Sequence, residues 1–88
     1  MRIVSQDRAY DLPYEQVMLN VKRVYGVEIG LPAERYSITA TFQDMKITLG
    51  EYKSKEVASF LMADVLDKYN MAANVVIFPM EEDVVLPE

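Results

Sequence analysis

The sequence has no cysteine, no histidine and no tryptophan among its 88 residues. Without cysteine there is no disulfide framework, no thiolate nucleophile and no cysteine-held zinc. Without histidine, the side chain that titrates near neutral pH is missing. That excludes Ser-His-Asp and Cys-His catalysis, histidine-bound metals and the commonest general base. An enzyme would have to work with carboxylates, Lys, Tyr and Ser alone. The expectation is a protein that is not an enzyme and takes no cofactor or metal.

Long apolar runs are also missing. The longest, Ala72–Pro79, is interrupted by Asn74 and falls far short of the ~20 residues a spanning helix needs. The opening Met1-Arg2-Ile3-Val4-Ser5-Gln6-Asp7 lacks the apolar stretch of a signal peptide. The expectation is a cytoplasmic protein with no membrane contact. Glycine and proline number three and four, and there is no internal repeat, low-complexity stretch or linker.

The residues present are 51% hydrophobic and 26% charged, a globular composition rather than a disordered one. Length leaves room for one small core. The net charge of −5 is uneven: without residues 81–88, ten acids face nine bases. The reading is one domain over residues 1–80 and an acidic tail over 81–88. An acidic tail repels phosphate, and Lys22-Arg23 with Arg35 makes no basic stripe, so no nucleic-acid partner is expected.

Periodicity supplies the elements. Residues 2–5 read as a short strand and Gln6–Ala9 as a turn. In 16–25, Val17, Leu19 and Val21 alternate with Met18, Asn20 and Lys22. Helical spacing also fits Val17, Val21 and Val24, but the β-branched content favours a strand. Gly26 then breaks or bulges the pattern, Val27-Glu28-Ile29 offer a continuation of it to Gly30, and Gly30–Glu34 reads as a loop. Tyr36, Ile38, Ala40 and Phe42 alternate with polar residues, as do Met45, Ile47 and Leu49. Two such runs meeting at Gln43-Asp44 predict a β-hairpin with one wet face. Residues 54–70 predict a helix capped by Ser54, with Ala58, Leu61, Met62, Val65, Leu66 and Tyr69 on its apolar stripe. Val75–Phe78 reads as a buried or central strand ended by Pro79. The tail is either disordered or docks Val84-Val85-Leu86 as an edge strand. The predicted fold class is α+β: an antiparallel sheet of about five strands with one amphipathic helix (about 55–70) packed on one face.

The start, with Asp11-Leu12-Pro13-Tyr14-Glu15-Gln16-Val17 after Met1–Asp7, resembles small uncharacterised proteins of Gram-positive bacteria and their phages. So does Glu51-Tyr52-Lys53-Ser54-Lys55-Glu56-Val57-Ala58 leading into the helix, and Phe78-Pro79 followed by acids. The resemblance covers about half the chain and implies a bacterial or phage setting, with no activity attached. The proteins it resembles usually have Asp-Gly in the first turn where this chain has Asp7-Arg8, which puts the turn type in question.

The candidate contact residue is Phe60. It lies about 190° from the centre of the predicted apolar stripe, between Asp64 and Asp67. A large aromatic on a wet face invites a partner or a second copy; the other options are a single exposed apolar residue, which is common, and cover by the N-terminal segment or the tail. Glu81-Glu82-Asp83 lacks the spaced acids and central glycine of a calcium loop. Tyr14-Glu15 and Tyr52-Lys53 lack the partner that would tune a catalytic carboxylate. Two function classes follow. One is a small protein-interaction protein, working through Phe60, Asp64 and Asp67, a sheet edge or a homodimer. The alternative is a phage-encoded acidic inhibitor of a host nucleic-acid-binding or defence enzyme.

Overall fold

A computed structural model describes residues 1–87. In chain order the elements are β1 (Arg2–Val4), β2 (Asp11–Pro13), β3 (Met18–Glu28), β4 (Leu31–Phe42), β5 (Met45–Tyr52), α1 (Lys55–Asn70) and β6 (Val75–Ile77). Single 3-10 turns occupy Tyr14–Gln16 and Glu81–Asp83. The class is α+β, as the periodicities indicate. The described strands number six, however, and they form two three-stranded sheets ordered β2-β1-β6 and β3-β4-β5. The second is antiparallel throughout. The first contains a parallel pair, β1 with β6, because the chain returns to β1 through the helix rather than through a tight turn.

The predicted hairpin is β4–β5. Gln43 and Asp44 sit at φ 50° and 66°, both positive as a type I′ turn requires, and that turn's twist suits the flanking strands. Residues 16–25 are strand rather than helix. Two expectations around them need correction. Gly26 does not interrupt β3, and Gly30–Glu34 is not a loop, since β4 begins at Leu31. The turn is Ile29-Gly30, at φ 52° and 74°.

A bulge between Ile38 and Thr39 alters β5. Ile47 pairs with Ala40 before it, and Gly50 pairs with Ile38 after it. The extra residue reverses the alternation. Leu49 and Gly50 are therefore both buried, and Tyr52 turns inward. Strict alternation would have put Gly50 on the wet face with Lys46 and Thr48.

One core joins the layers. Ile3, Leu12, Val76 and Phe78 come from the first sheet, Ile38, Ala40, Ile47, Leu49 and Tyr52 from the second, and Val57, Ala58, Leu61 and Val65 from α1. Pairing Ile3 with both Leu12 and Val76 puts these three in one inward row. β6 is an edge strand with Val75 and Ile77 exposed, not the buried or central strand expected.

Backbone strain at the first turn is offset locally. Arg8 has φ 64°, the left-handed geometry the sequence put in question. Its amide donates to the Ser5 carbonyl at 2.9 Å, and Asp7 Oδ1 accepts from Ser5 Oγ at 2.6 Å and Ala9 N at 3.0 Å. Gln6 ties the sheets together, its side chain donating to the Pro79 carbonyl and accepting from the Glu51 amide.

The tail is neither a strand nor detached over its described part. Glu81 accepts the amides of Lys53 and Ser54, each at 3.0 Å, which satisfies donors just before α1. Val84 packs on the core, while Val85 and Leu86 are exposed. Glu88, the last residue of the predicted tail, lies outside the described residues.

Several carboxylates titrate below their ordinary range. Ser5 and the Ala9 amide lower Asp7, the Arg2 guanidinium lowers Asp11, and the N-terminal ammonium lowers Glu15. Glu56 is lowered by its own amide and by Ser54. A depressed folded value means the stabilisation is complete above the unfolded pKa, about 4 for such groups, and is lost as pH falls through the folded value. The thermal midpoint should therefore be flat from pH 6 to 5 and fall below about pH 4. Asp11→Asn should make that fall shallower; calorimetry across this range reads both effects.

Candidate functional site

β3 and β4 are longer than the sheet that supports them. β5 ends with Tyr52 opposite Tyr36, and Tyr36 pairs with Arg23. From there to the Ile29-Gly30 turn, β3 and β4 pair only with each other and project as a two-stranded arm.

The arm carries apolar side chains that the core does not use. Tyr25 is 67% exposed, Val27 78% and Ile29 96%; Leu31 is also exposed. Pairing sets Val27 opposite Pro32 and Tyr25 opposite Glu34. The Arg23 guanidinium lies 5.4 Å from the Tyr25 ring centre, in cation–π range. Ile29 combines near-complete exposure with φ 52°. A β-branched residue is a genuine outlier there, and Asn or Gly would serve the turn at lower cost.

A groove lies at the root of the arm. The helix sits over β4 and β5, so the inward face of β3 is only partly roofed. Val17 and Leu19 are half-buried and Val21 is exposed. Together with Tyr14, Glu15, Met62, Leu66 and Tyr69, Val17 and Leu19 line an open cavity of about 490 Å³. The Tyr14 and Tyr69 rings meet there at 4.9 Å and 42°.

The same placement of the helix corrects the expected wet-face position of Phe60. The buried residues of α1 are Val57, Ala58, Leu61 and Val65. Their centre is turned about 60° from the predicted stripe, counting 100° per residue. Phe60 is half-buried and packed against the core, while Leu66 and Tyr69, expected to be buried, are exposed. Asp64 pairs with Lys68 at 2.7 Å, and the exposed Asp67 accepts the Met71 amide through its backbone carbonyl. The structure does not gather Phe60, Asp64 and Asp67 with the arm.

Sequence reasoning carries the strand past Gly26 through Val27-Glu28-Ile29 as one option, but it places Leu31 in a loop and singles out none of Tyr25, Val27, Ile29 and Leu31 as exposed. The available signal was the spacing by twos from Tyr25 across Gly26 to Val27 and Ile29, followed by Gly30 at the second position of a two-residue turn.

Other surfaces have different chemistry. The outer face of the β3-β4-β5 sheet is mostly polar and slightly concave, with Asn20, Lys22, Ser37, Thr39, Thr41, Lys46, Thr48 and Glu51, and the apolar Val24, around about 310 Å³. Thr39 Oγ1 donates to Asn20 Oδ1 at 2.5 Å. The acids are dispersed: Asp44 lies in the β4–β5 turn, Glu51 on this outer face, and Asp64 and Asp67 on the helix. Among the described residues, no three carboxylates converge to hold a metal ion. No helix among the described residues is long and apolar enough to cross a membrane. The hydroxyl of buried Tyr52 is pushed well up by desolvation and then by Glu81. It donates to the Pro79 carbonyl at 2.8 Å, which is a structural tie.

Comparison with protein-family models, curated proteins and solved structures found no match to this chain.

Proposed function

We propose that this chain is a protein-interaction protein without chemistry of its own, which binds through the β3–β4 arm and the groove at its root. The setting is the bacterial or phage one implied by the sequence resemblance. The observation that carries this reading is the apolar tip. Ile29 and Val27 are 96% and 78% exposed, with no element among the described residues packed over them. Apolar groups held in water on a projecting element mark a contact surface rather than a core. Dispersal of Asp44, Glu51, Asp64 and Asp67 over unrelated surfaces weighs against the acidic-inhibitor alternative, which needs them on one face to imitate phosphates.

The test is a pull-down from a host lysate with tagged wild type and with a Val27→Asp, Ile29→Asn variant. Asn suits the left-handed turn position, so the hairpin is retained. The expected result is that proteins held by wild type, counting an untagged second copy, are lost from the variant. An unchanged set of captured proteins overturns the assignment to the arm.

A further inference from the structure

We propose that the bare edge of β3 and its groove receive a second copy of this chain, with the two β3 strands pairing antiparallel about a two-fold axis at Val24. The proposal rests on the interaction reading above and names the occupant.

β3 offers an unusual edge. It runs eleven residues and pairs residue for residue with β4, without irregularity, from Met18↔Thr41 to Glu28↔Leu31. No described strand lies on its other side. It has no proline and no bulge, two of the devices that blunt an edge, and its charges at Lys22 and Arg23 restrict which registers an added strand can take. Glu28 and Leu31 flank a two-residue turn and so face each other across the ladder. Counting back by twos, Gly26, Val24, Lys22 and Asn20 also direct their peptide groups to β4. Those of Val27, Tyr25, Arg23, Val21 and Leu19 point to the free edge, where water meets them until a further strand is added.

Side chains select the register. Antiparallel pairing of two identical strands about a two-fold axis normal to the sheet keeps inward residues opposite inward residues, with one residue on the axis. An axis at Lys22 or Arg23 sets like charges directly opposite, which is unfavourable. An axis at Val24 sets Val24 against Val24, Val21 against Val27, and Arg23 against Tyr25, the partner its guanidinium already approaches within its own chain. Lys22 then faces Gly26, which has no side chain to oppose it. An axis at Tyr25 shortens the overlap and withdraws the tip from the groove.

The Val24 register also covers both exposed apolar regions at once. Ile29 of one copy comes beside Leu19 of the other, where Met62 and Leu66 leave the groove open. The exchange occurs twice, because a two-fold contact is reciprocal.

The test uses purified full-length chain. Sedimentation equilibrium of wild type at micromolar to hundred-micromolar concentration should give twice the 10.1 kDa chain mass, and the Val27→Asp, Ile29→Asn variant should give the single-chain mass. Because the chain has no cysteine, one introduced thiol reports the register. In Val24→Cys the two thiols face each other across a non-hydrogen-bonded pair with Cα atoms about 4.5 Å apart, within disulfide range. Mild oxidation with diamide should then give a covalent dimer. In Lys22→Cys the two thiols lie about 13 Å apart along the strands, beyond that range, and should remain uncoupled. A wild type of single-chain mass throughout overturns the second-copy proposal, while the lysate experiment judges the interaction reading independently. A dimer in which Lys22→Cys couples as readily as Val24→Cys, or in which a folded Val24→Cys does not couple, overturns the register.

Discussion

Gly50→Ala should destabilise the chain by about 1–3 kcal/mol, the usual cost of overpacking a well-filled core. A Cβ at this position would lie 2.7 Å from the Tyr52 hydroxyl oxygen and 2.8 Å from its Cε2, closer than real side chains approach. Relief requires the ring to move, and it is held on all sides. Tyr52 is completely buried, and its hydroxyl is fixed to the Pro79 carbonyl at 2.8 Å. The glycine is needed here for space and not for φ. The bulge at Ile38/Thr39 puts Gly50 and Tyr52 on one inward row, two residues apart, so the ring leans back over the missing side chain. For a domain of this size 1 kcal/mol moves the thermal midpoint by roughly 4–8 °C, so the drop should be on the order of ten degrees. Tyr52→Phe removes the nearest atom, and the double variant should be less damaged than the sum of the two single changes. Unfolding of Gly50→Ala at the wild-type midpoint would contradict the packing described for this corner.

The parts of the fold legible from sequence are those where one periodicity dominates. The β4–β5 hairpin was readable because Ile38, Ala40 and Ile47 face a core and Thr39, Thr41 and Lys46 do not, so burial leaves a period of two. Helix α1 was readable from its period and from Ser54, whose Oγ accepts the Val57 amide at 3.3 Å. The orientation of α1 was not. Phe60 on one flank and Leu66 with Tyr69 on the other are apolar alternatives, and only the seating of the helix over β4 and β5 decides between them. The division into two sheets was hidden because β1, β2 and β6 each run three residues, too few to show a pattern.

The arm is only partly legible, for a different reason. Beyond Tyr36 no core lies beneath the strands, so nothing imposes an alternation of apolar and polar residues on them. Pro32 and Glu34 then read as loop residues, although an unsupported ribbon tolerates both. Sequence patterning records what a chain buries against itself. Tyr25, Val27 and Ile29, the residues of the proposed contact, are exposed and so fall outside that record.

Amide hydrogen exchange along β3 tests the two-copy arrangement most directly. The amides of Leu19, Val21, Arg23, Tyr25 and Val27 point to the bare edge and should exchange rapidly in dilute solution. Raising the concentration to about a hundred times the dissociation constant adds about 2.7 kcal/mol of linkage stabilisation. Those amides should then slow by up to about 100-fold, while the alternate amides of Val24 and Gly26, already bonded to β4, change less. Rapid exchange of the five edge amides at every concentration would show that β3 remains unpaired, and would contradict the arrangement.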